Sequence, residues 1–233
     1  MKTKHAINLP MEGQSVSVSK NSDDDEVSAI ISLISDSAED TPNLQLPSPS
    51  LRNFYRDEAA RNIWLQDEID DATMGIVKKI INYNKQDKGL SPEERKPIKL
   101  FIDTGGGDVT VMWALINTIK LSKTPVYTIN IRDALSAGAH ILAAGHKRYG
   151  MPSSTVLIHS GSCAYSGTQE QAASAKKYYD AVSKQAEECL LQDTKISKAV
   201  LKRKAPSDWY LNAQEALENG IIDEIITNFD IFF

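Results

Sequence analysis

The amino-acid sequence predicts an α/β fold, and three observations support this prediction. From about residue 52, short apolar runs of strand length alternate with segments whose apolar residues recur at helical spacing. Such alternation implies parallel strands joined by right-handed crossovers. Hydrophobic residues make up 41% and charged residues 24% of the 233-residue chain, proportions that are ordinary for a globular protein with a buried core.

The first half of this region contains two predicted strands, each followed by a predicted helix. Asp70 and Asp71 are typical helix caps, and the apolar residues after them follow a helical spacing. The second helix has four apolar residues on one face, at positions 112, 115, 116 and 119. The predicted elements are a strand at 63–65, a helix from the caps to residue 81, a charged loop at 82–97, a strand at 98–103 and a helix at 109–123.

The second half continues the alternation and adds one long helix. Gly145 and Gly220 are suited to end helices because glycine adopts left-handed backbone conformations easily. The long helix has Ala172, Ala175, Tyr179, Val182, Ala186, Cys189 and Leu190 along one broad side. The predicted elements are strands at 126–131, 155–158 and 221–226, and helices at 137–145, 168–194 and 213–219.

Residues 1–50 are predicted to be a flexible tail, so that the folded domain spans residues 51–233. The tail contains eight acidic residues and three lysines, which accounts for the whole net charge of −5. Its Ser-, Asp- and Pro-rich composition cannot bury enough apolar surface to offset the entropy of ordering. One apolar island at 27–34 could dock on a partner or on the body of the protein, and a short sticky element in a mobile segment is the simpler interpretation.

Composition excludes several classes of function. The chain after residue 50 carries equal numbers of basic and acidic residues, so a nucleic-acid-binding surface is not expected. A membrane span is not expected either, because no run of about 18 apolar residues occurs. Two cysteines do not make a disulfide framework, and the N-terminus has no apolar signal-peptide stretch. We expect a cytoplasmic protein with no metal and no other cofactor.

Three candidate functional groups follow three predicted strands. They are the glycine run Gly105–Gly107, Ser136 and His159. Because function in open α/β sheets collects at the carboxyl ends of the strands, the three are expected to share one edge of the sheet. In this chain order they provide the parts of an acyl-transfer site: oxyanion donors, a nucleophile and a base.

Each part has a chemical reason. A serine hydroxyl needs a base to remove its proton, and a histidine titrates near neutral pH. Glycine lets the backbone approach a substrate closely, and the Ala137 N–H at the start of a helix would point at the reacting centre. Individually, the glycines suit a tight loop, Ser136 a helix cap and His159 a sheet edge; their joint occurrence favours catalysis. His140 and His146 are interpreted as non-catalytic.

Several motifs resemble the Clp protease proteolytic-subunit (ClpP) family. The family's Gly-Gly turn and helix start correspond to Phe101–Thr110, and its Ala-Ser-small-Gly-Ala segment corresponds to Leu135–Ala139. Its Ile-His pair corresponds to Ile158–His159. Its C-terminal motifs resemble Trp209–Ala216 and Glu218–Asp223. The resemblance covers about residues 52–227.

The resemblance implies a fold, an activity and a set of site residues. The fold would be a ClpP/crotonase-like right-handed spiral of strand-strand-helix repeats, with the helix at 168–194 as a protruding handle that joins two rings. Ser136 would be the nucleophile, His159 the general base, and Gly107 and Ala137 the oxyanion donors. The protein would be a serine endopeptidase that assembles into a homo-oligomeric ring, cleaves peptides or unfolded proteins, and engages an AAA+ unfoldase in ATP-dependent proteolysis.

The chain departs from the family pattern at the acid of the catalytic triad. Aligning back from residues 209–211 puts Lys204 where the triad aspartate belongs and puts Asp208 at a second, non-triad position. A lysine there would repel a protonated His159 and lower its pKa. Several alternatives follow: Asp208 or Asp193 substitutes, a backbone carbonyl orients the histidine, a Ser–Lys mechanism operates, or the subunit is slow or inactive.

Three other functions compete with the peptidase. A ClpP-like subunit with a degenerate triad could have a regulatory or structural role in a mixed ring. A crotonase-like acyl-CoA enzyme would share the spiral fold but would not need both Ser136 and His159. A phage-type capsid maturation protease is supported only by the acidic segment 1–50.

The ClpP family's axial-loop sequence, which meets the unfoldase, is not recognisable in residues 1–50. The sequence therefore leaves open whether a standard unfoldase is engaged.

Overall fold

The computed structural model describes residues 5–7, 16–18, 48–162 and 164–232. The chain divides into two units, Met1–Asn62 and Ile63–Phe233. Most of the predicted tail, including the apolar island at 27–34, lies outside the described residues. The predicted boundary at residue 50 therefore stays a prediction.

The described part of the first unit contains a strand pair and a helix. Strands β1 (His5–Ile7) and β2 (Val16–Val18) pair antiparallel. Helix α1 (Pro49–Ala60) begins with a proline, and the hydroxyl of its cap Ser48 accepts a hydrogen bond from the Leu51 N–H. This helix is not among the elements predicted from the sequence.

The second unit contains the predicted alternation of strands and helices. Its strands are β3 (Asn62–Gln66), β4 (Ile98–Thr104), β5 (Val126–Leu135), β6 (Lys147–Gly150), β7 (Thr155–Ile158), β8 (Trp209–Asn212) and β9 (Glu224–Ile225). Its α-helices are α2 (Met74–Gln86), α3 (Val109–Leu121), α4 (Ala137–Ala143), α5 (Gln169–Asp193), α6 (Lys198–Lys204) and α7 (Ala213–Glu218). Short 3₁₀ helices span Asp71–Thr73, Pro92–Glu94 and Phe229–Phe232.

The seven strands of this unit form one sheet with the order β3-β4-β5-β6-β9, and β7 pairs with both β5 and β8. Strand β5 is parallel to β4, β6 and β7, and β6 is parallel to β9. The pair β7–β8 is antiparallel. This parallel-dominated sheet confirms the predicted α/β class. Because Thr104 pairs with Ala134, and Leu135 with Leu157, the carboxyl ends of β4, β5 and β7 meet at one edge.

Helices α2 and α3 pack their apolar faces into the core as their spacing predicts. The predicted core positions of α3 are all buried, and so are three of the four predicted in α2. The exception is Ile81, which is exposed. The buried residues are Ile76, Val77 and Ile80 of α2 and Met112, Leu115, Ile116 and Ile119 of α3.

Three predicted boundaries are wrong. The strand predicted at 126–131 continues to Leu135 and ends next to Ser136. Helix α2 continues to Gln86, well into the predicted loop, and its end buries Tyr83. The predicted strand at 221–226 is reduced to Glu224–Ile225, because the preceding residues close α7 instead. The Ile221 N–H donates to the Ala216 carbonyl and the Gly220 N–H to Leu217, with a φ of 68° at Gly220. This is a Schellman cap, in which the apolar Ile221 is buried without being part of a strand.

The predicted long helix is present as α5, and its two halves differ. Thr168 and Gln171 form a capping box at its start. Only Val182, Ala186 and Leu190 are buried, whereas Tyr178 in the first half is 62% exposed. The apolar side expected along the whole helix is therefore buried in its second half alone. None of the helices in the described ranges combines the length and the apolarity that a membrane crossing requires.

Candidate active site

Ser136 occupies a sharp turn between a strand and a helix. Strand β5 runs to Leu135 and helix α4 begins at Ala137, so one residue makes the whole connection. Ser136 has a φ of 55°, a left-handed conformation that is uncommon and costly for a residue other than glycine. Its N–H donates to the Leu157 carbonyl at 2.9 Å, which anchors the turn to β7. The strained turn presents the hydroxyl at the carboxyl edge of the sheet.

His159 lies next to this hydroxyl. It directly follows β7, whose parallel pairing with β5 brings the ends of the two strands together. The His159 Nε2 and the Ser136 Oγ are 2.7 Å apart. A nitrogen at this distance can take the hydroxyl proton as the oxygen attacks. The structure thus brings together the two side chains that the sequence pattern selected.

The glycine turn after β4 packs closely against the Ser136 turn. A Cβ on Gly106 would lie 2.8 Å from the Ser136 Cβ and 2.9 Å from the Leu135 carbonyl oxygen, at a φ of 102°. A Cβ on Gly107 would collide with the Ile69 backbone, at a φ of 146°. Only glycine fits at these two positions without displacing backbone atoms.

Two residues beside the site have backbone N–H groups that could serve a substrate. Ile69 bridges the turn by donating to the Gly106 carbonyl and accepting from the Asp108 N–H, so neither bond uses the Gly107 N–H. The Ala137 N–H is the first of helix α4 and has no acceptor within that helix. Both residues line the cavity at Ser136. No backbone hydrogen bond of the described residues uses these two N–H groups, and N–H groups beside a nucleophile can stabilise an oxyanion.

Asp108 holds the glycine turn at the start of helix α3. Its Oδ1 accepts hydrogen bonds from the backbone N–H groups of Thr110 and Val111 and from the Thr110 hydroxyl. These bonds, the Thr110 hydroxyl foremost, hold the pKa of the Asp108 carboxyl below its usual value. The ionised cap fixes the residue that follows Gly107, and it thereby supports the orientation of the turn.

An acid, Asp208, lies close to His159. The antiparallel pairing of β7 with β8 places Ile158 opposite Trp209. His159 directly follows β7 and Asp208 directly precedes β8, so these two residues also face each other. The His159 Nδ1 and the Asp208 Oδ1 are 3.6 Å apart, with the two side chains 26% and 59% exposed. This placement differs from the alignment, which put Asp208 four residues beyond the acid position.

The other two candidates for the third position lie elsewhere. Lys204 is exposed at the end of helix α6, and the described part of the chain contains no hydrogen bond between its side chain and His159. Asp193 forms an ion pair with Lys120 at 2.8 Å and lies 3.4 Å from the Cys189 Sγ. The sequence analysis left Asp208 as one of several candidates and could not select it, because its position beside His159 depends on a long-range antiparallel pairing.

A cavity of about 400 Å³ opens beside Ser136 and His159. Its far wall comes from the buried half of α5 and from α6, and it includes Ala186, Leu190 and Leu201. The Tyr179 hydroxyl donates to the Ser162 carbonyl at 3.4 Å, which attaches α5 to the segment after His159. The cavity is large enough to receive a bulky side chain next to the nucleophile.

His140, which the sequence analysis interprets as non-catalytic, also lines this cavity. It lies four residues after Ser136, one turn along helix α4, so both side chains belong to the same part of the helix surface. No group of three or more His, Cys, Asp or Glu side chains in the described ranges is arranged to hold a metal ion.

A comparison with models of protein families agrees with this geometry. The family model described as Clp protease matches residues 52–229, which is well over half of the chain. The match confirms the resemblance noted from the sequence motifs and the predicted ClpP/crotonase-like fold class. Serine peptidase chemistry and oligomeric assembly are general properties of that family. The chain belongs to the Clp protease family.

Proposed function

We propose that the protein is a serine endopeptidase that cleaves peptides and unfolded proteins through an acyl-enzyme. The observation that carries this proposal is the 2.7 Å separation of Ser136 Oγ and His159 Nε2 at a strained strand-to-helix turn. The strain supports the proposal because left-handed backbone at residues other than glycine collects at functional sites.

The proposed reaction uses the site as follows. His159 Nε2 accepts the Ser136 proton while the oxygen attacks the substrate carbonyl carbon. The carbonyl oxygen becomes an oxyanion, which accepts hydrogen bonds from the Gly107 and Ala137 N–H groups. His159 then gives its proton to the leaving amine, and an acyl group remains on Ser136. Water attacks this ester with His159 again as base, which releases the acid and restores the serine.

Asp208 is the proposed orienting acid. When Nε2 of His159 faces the serine as an acceptor, the neutral imidazole carries its proton on Nδ1, the atom nearest to Asp208. The carboxylate favours this tautomer and stabilises the imidazolium that forms during attack. At 3.6 Å and with an exposed carboxylate, the support is weaker than that of a buried, hydrogen-bonded acid.

This weak support favours a second candidate function. A subunit with a loosely held acid would turn over slowly and could act mainly as a regulatory member of a mixed ring. The two candidates differ in rate rather than in architecture, because both retain the Ser136–His159 pair. Labelling of Ser136 without measurable peptide turnover would favour the regulatory subunit.

The proposed peptidase acts inside an assembly. The first half of α5 extends from the body with Tyr178 exposed, as expected of a helix that packs against another copy. We propose homo-oligomeric rings that stack through this helix and receive substrate from an AAA+ unfoldase. Light scattering tests the assembly, and a monomer mass at all concentrations would contradict it.

Fluorophosphonate labelling tests the chemistry. The wild-type protein should be labelled at Ser136 and should cleave a fluorogenic peptide, and Ser136→Ala should lose both activities. Ser153→Ala, which changes an exposed serine in the turn between β6 and β7, is the matched control and should behave as wild type. Peptide turnover that survives in Ser136→Ala would contradict the proposed function.

A further inference from the structure

The His159–Asp208 pair is not held together by a hydrogen bond of its own. The His159 Nδ1 and the Asp208 Oδ1 are 3.6 Å apart, which is longer than a hydrogen bond. The Asp208 side chain is also 59% exposed, so the surrounding packing leaves it room to move. The separation of the two groups is therefore set by the backbone segments that carry them.

These two segments are joined on both sides of the pair. On one side, the antiparallel pairing of β7 with β8 places Ile158 opposite Trp209. On the other side, Ser160, the residue after the histidine, is bound to Ala205, three residues before the acid. The pair thus lies between a strand ladder and a second link, which we call the Ser160–Ala205 clamp.

The Ser160–Ala205 clamp consists of two hydrogen bonds to one carbonyl oxygen. The Ser160 N–H donates to the Ala205 carbonyl at 2.8 Å, and the Ser160 hydroxyl donates to the same oxygen at 2.9 Å. A carbonyl oxygen has two lone pairs and can accept both bonds. The N–H bond alone would leave the segment free to rotate about the line from donor to acceptor, and the hydroxyl bond removes this freedom.

The clamp ties an irregular segment to a fixed point of the core. Ala205 is buried, and its N–H donates to the Leu201 carbonyl at 2.9 Å at the end of helix α6. By contrast, Ser160 is exposed, and residues 159–162 belong to no helix or strand. The position of the segment after His159 therefore depends on the bonds that Ser160 makes.

We propose that Ser160 is a positioning residue, whose hydroxyl sets the separation of His159 and Asp208 through the clamp. The inference rests on the proposed function and goes beyond it, because Ser160 takes no part in the chemical steps. The Ser136 side of His159 does not depend on the clamp, since the Ser136 N–H is bound to the Leu157 carbonyl and β5 pairs with β7. Loss of the hydroxyl should therefore weaken the support from the acid and leave the contact with the nucleophile in place.

A contact with the substrate is the competing role for Ser160, because this residue also lines the active-site cavity. The two roles have different kinetic signatures. Removal of a contact made equally in the ground state and the transition state raises KM, whereas loss of a positioning group lowers kcat. The hydroxyl already donates its one proton to Ala205, which favours the positioning role. A rise in KM with unchanged kcat would overturn the proposal.

Ser160→Ala tests the clamp, because it removes the hydroxyl bond and keeps the N–H bond. The position is exposed, so the fold should persist, and circular dichroism checks this. We expect kcat to fall about 5-fold with KM unchanged, the effect of losing one hydrogen bond. Ser160→Thr keeps the hydroxyl and should retain the wild-type kcat.

Ser207→Ala is the matched control. It removes an exposed hydroxyl from the same connection, whose bond to the Lys204 carbonyl does not reach the segment of His159. Its kcat should equal that of the wild-type protein. A fall in Ser160→Thr or in Ser207→Ala as large as that in Ser160→Ala would overturn the role of the Ser160 hydroxyl.

A double-mutant cycle with Asp208→Ala separates positioning from a merely structural role. If Ser160 acts through the acid, Ser160→Ala should lower kcat by less than about 2-fold in a protein that lacks the Asp208 carboxylate. The same fall of about 5-fold in both backgrounds would overturn the inference. Where turnover is slow, the rate of fluorophosphonate labelling at Ser136 provides the same comparison.

The outcomes distinguish this inference from the proposed function. Cleavage and labelling that Ser160→Ala leaves unchanged overturn the role of Ser160 and leave the peptidase intact. Absence of both cleavage and Ser136 labelling in the wild-type protein overturns the proposed function and this inference with it.

Discussion

The two sides of the active site are built differently. The nucleophile side consists of buried strand ends and a glycine turn. Ala134 and Ala139 are fully buried there, and Gly106 lies close to the backbone on both sides of Ser136. The acid side consists of an exposed segment between α6 and β8, in which the nearest carboxylate is 59% exposed. The geometry of the first side is fixed by packing, whereas that of the second depends on one strand pairing.

This difference teaches which parts of the site tolerate change. In a closely packed turn, an added atom displaces the nucleophile itself, because the neighbouring backbone has no space to move into. An exposed side chain can be replaced with little structural cost, but its electrostatic effect is screened by solvent. We therefore expect substitutions on the nucleophile side to have larger effects than those on the acid side.

Gly107→Ala should have the largest effect. The new Cβ would collide with the Ile69 backbone at a φ that disfavours alanine, and the cost should be about 4 kcal/mol of stability with loss of activity. Gly105→Ala is the matched control, because a Cβ there meets no atom within 4 Å. Denaturant unfolding compares the two variants, and equal stabilities would show that the turn is not rigidly packed.

His140 should make stability depend on pH. Its pKa is about 4 in the folded protein and near 6.5 in the unfolded chain, so the unfolded chain binds more protons between these values. Stability should therefore fall as the pH drops below 6.5, by about 2 kcal/mol between pH 7.5 and pH 5. In His140→Leu, this part of the change in unfolding free energy with pH should be absent. Denaturant unfolding of both proteins at the two pH values measures the difference, and identical slopes would contradict it.

The same contrast explains what the sequence could predict. The strand at 98–103, the helix at 109–123 and the strand at 155–158 were predicted because their hydrophobic spacing is local. The Ser136–His159 pair followed from the rule that strand ends share an edge. Asp208 did not, since antiparallel pairing of β7 with β8 is a long-range event. Helix α6 was not predicted, because it is short and its last three residues are basic. Its one buried residue, Leu201, does not make a recognisable apolar face.

Asp208→Asn should have a moderate effect on catalysis. The amide keeps the shape but removes the charge that stabilises protonated His159, and we expect kcat/KM to fall about 10-fold, far less than the roughly 10,000-fold loss at a buried triad acid. Asp193→Asn should not reproduce this loss, because Asp193 pairs with Lys120. Steady-state kinetics on one fluorogenic peptide compares them. If Asp193→Asn is the more damaging variant, Asp208 is not the orienting acid.

Lys204→Asp should have the smallest effect. The alignment puts Lys204 at the acid position, so a restored aspartate would raise activity by orders of magnitude if that side chain reached His159. The structure instead places Lys204 at the exposed end of α6. The backbone one residue later is held by the Ala205 carbonyl, which accepts from both the N–H and the hydroxyl of Ser160.

These bonds fix the segment beside the active site while leaving the Lys204 side chain in solvent. The expected change in kcat/KM is less than about 3-fold, because a surface charge of either sign is screened at physiological salt. Lys202→Asp, two residues earlier on the same exposed helix, is the matched control for the change in charge. A gain of 100-fold or more in Lys204→Asp alone would show that residue 204 reaches His159. The acid side would then be as closely built as the nucleophile side.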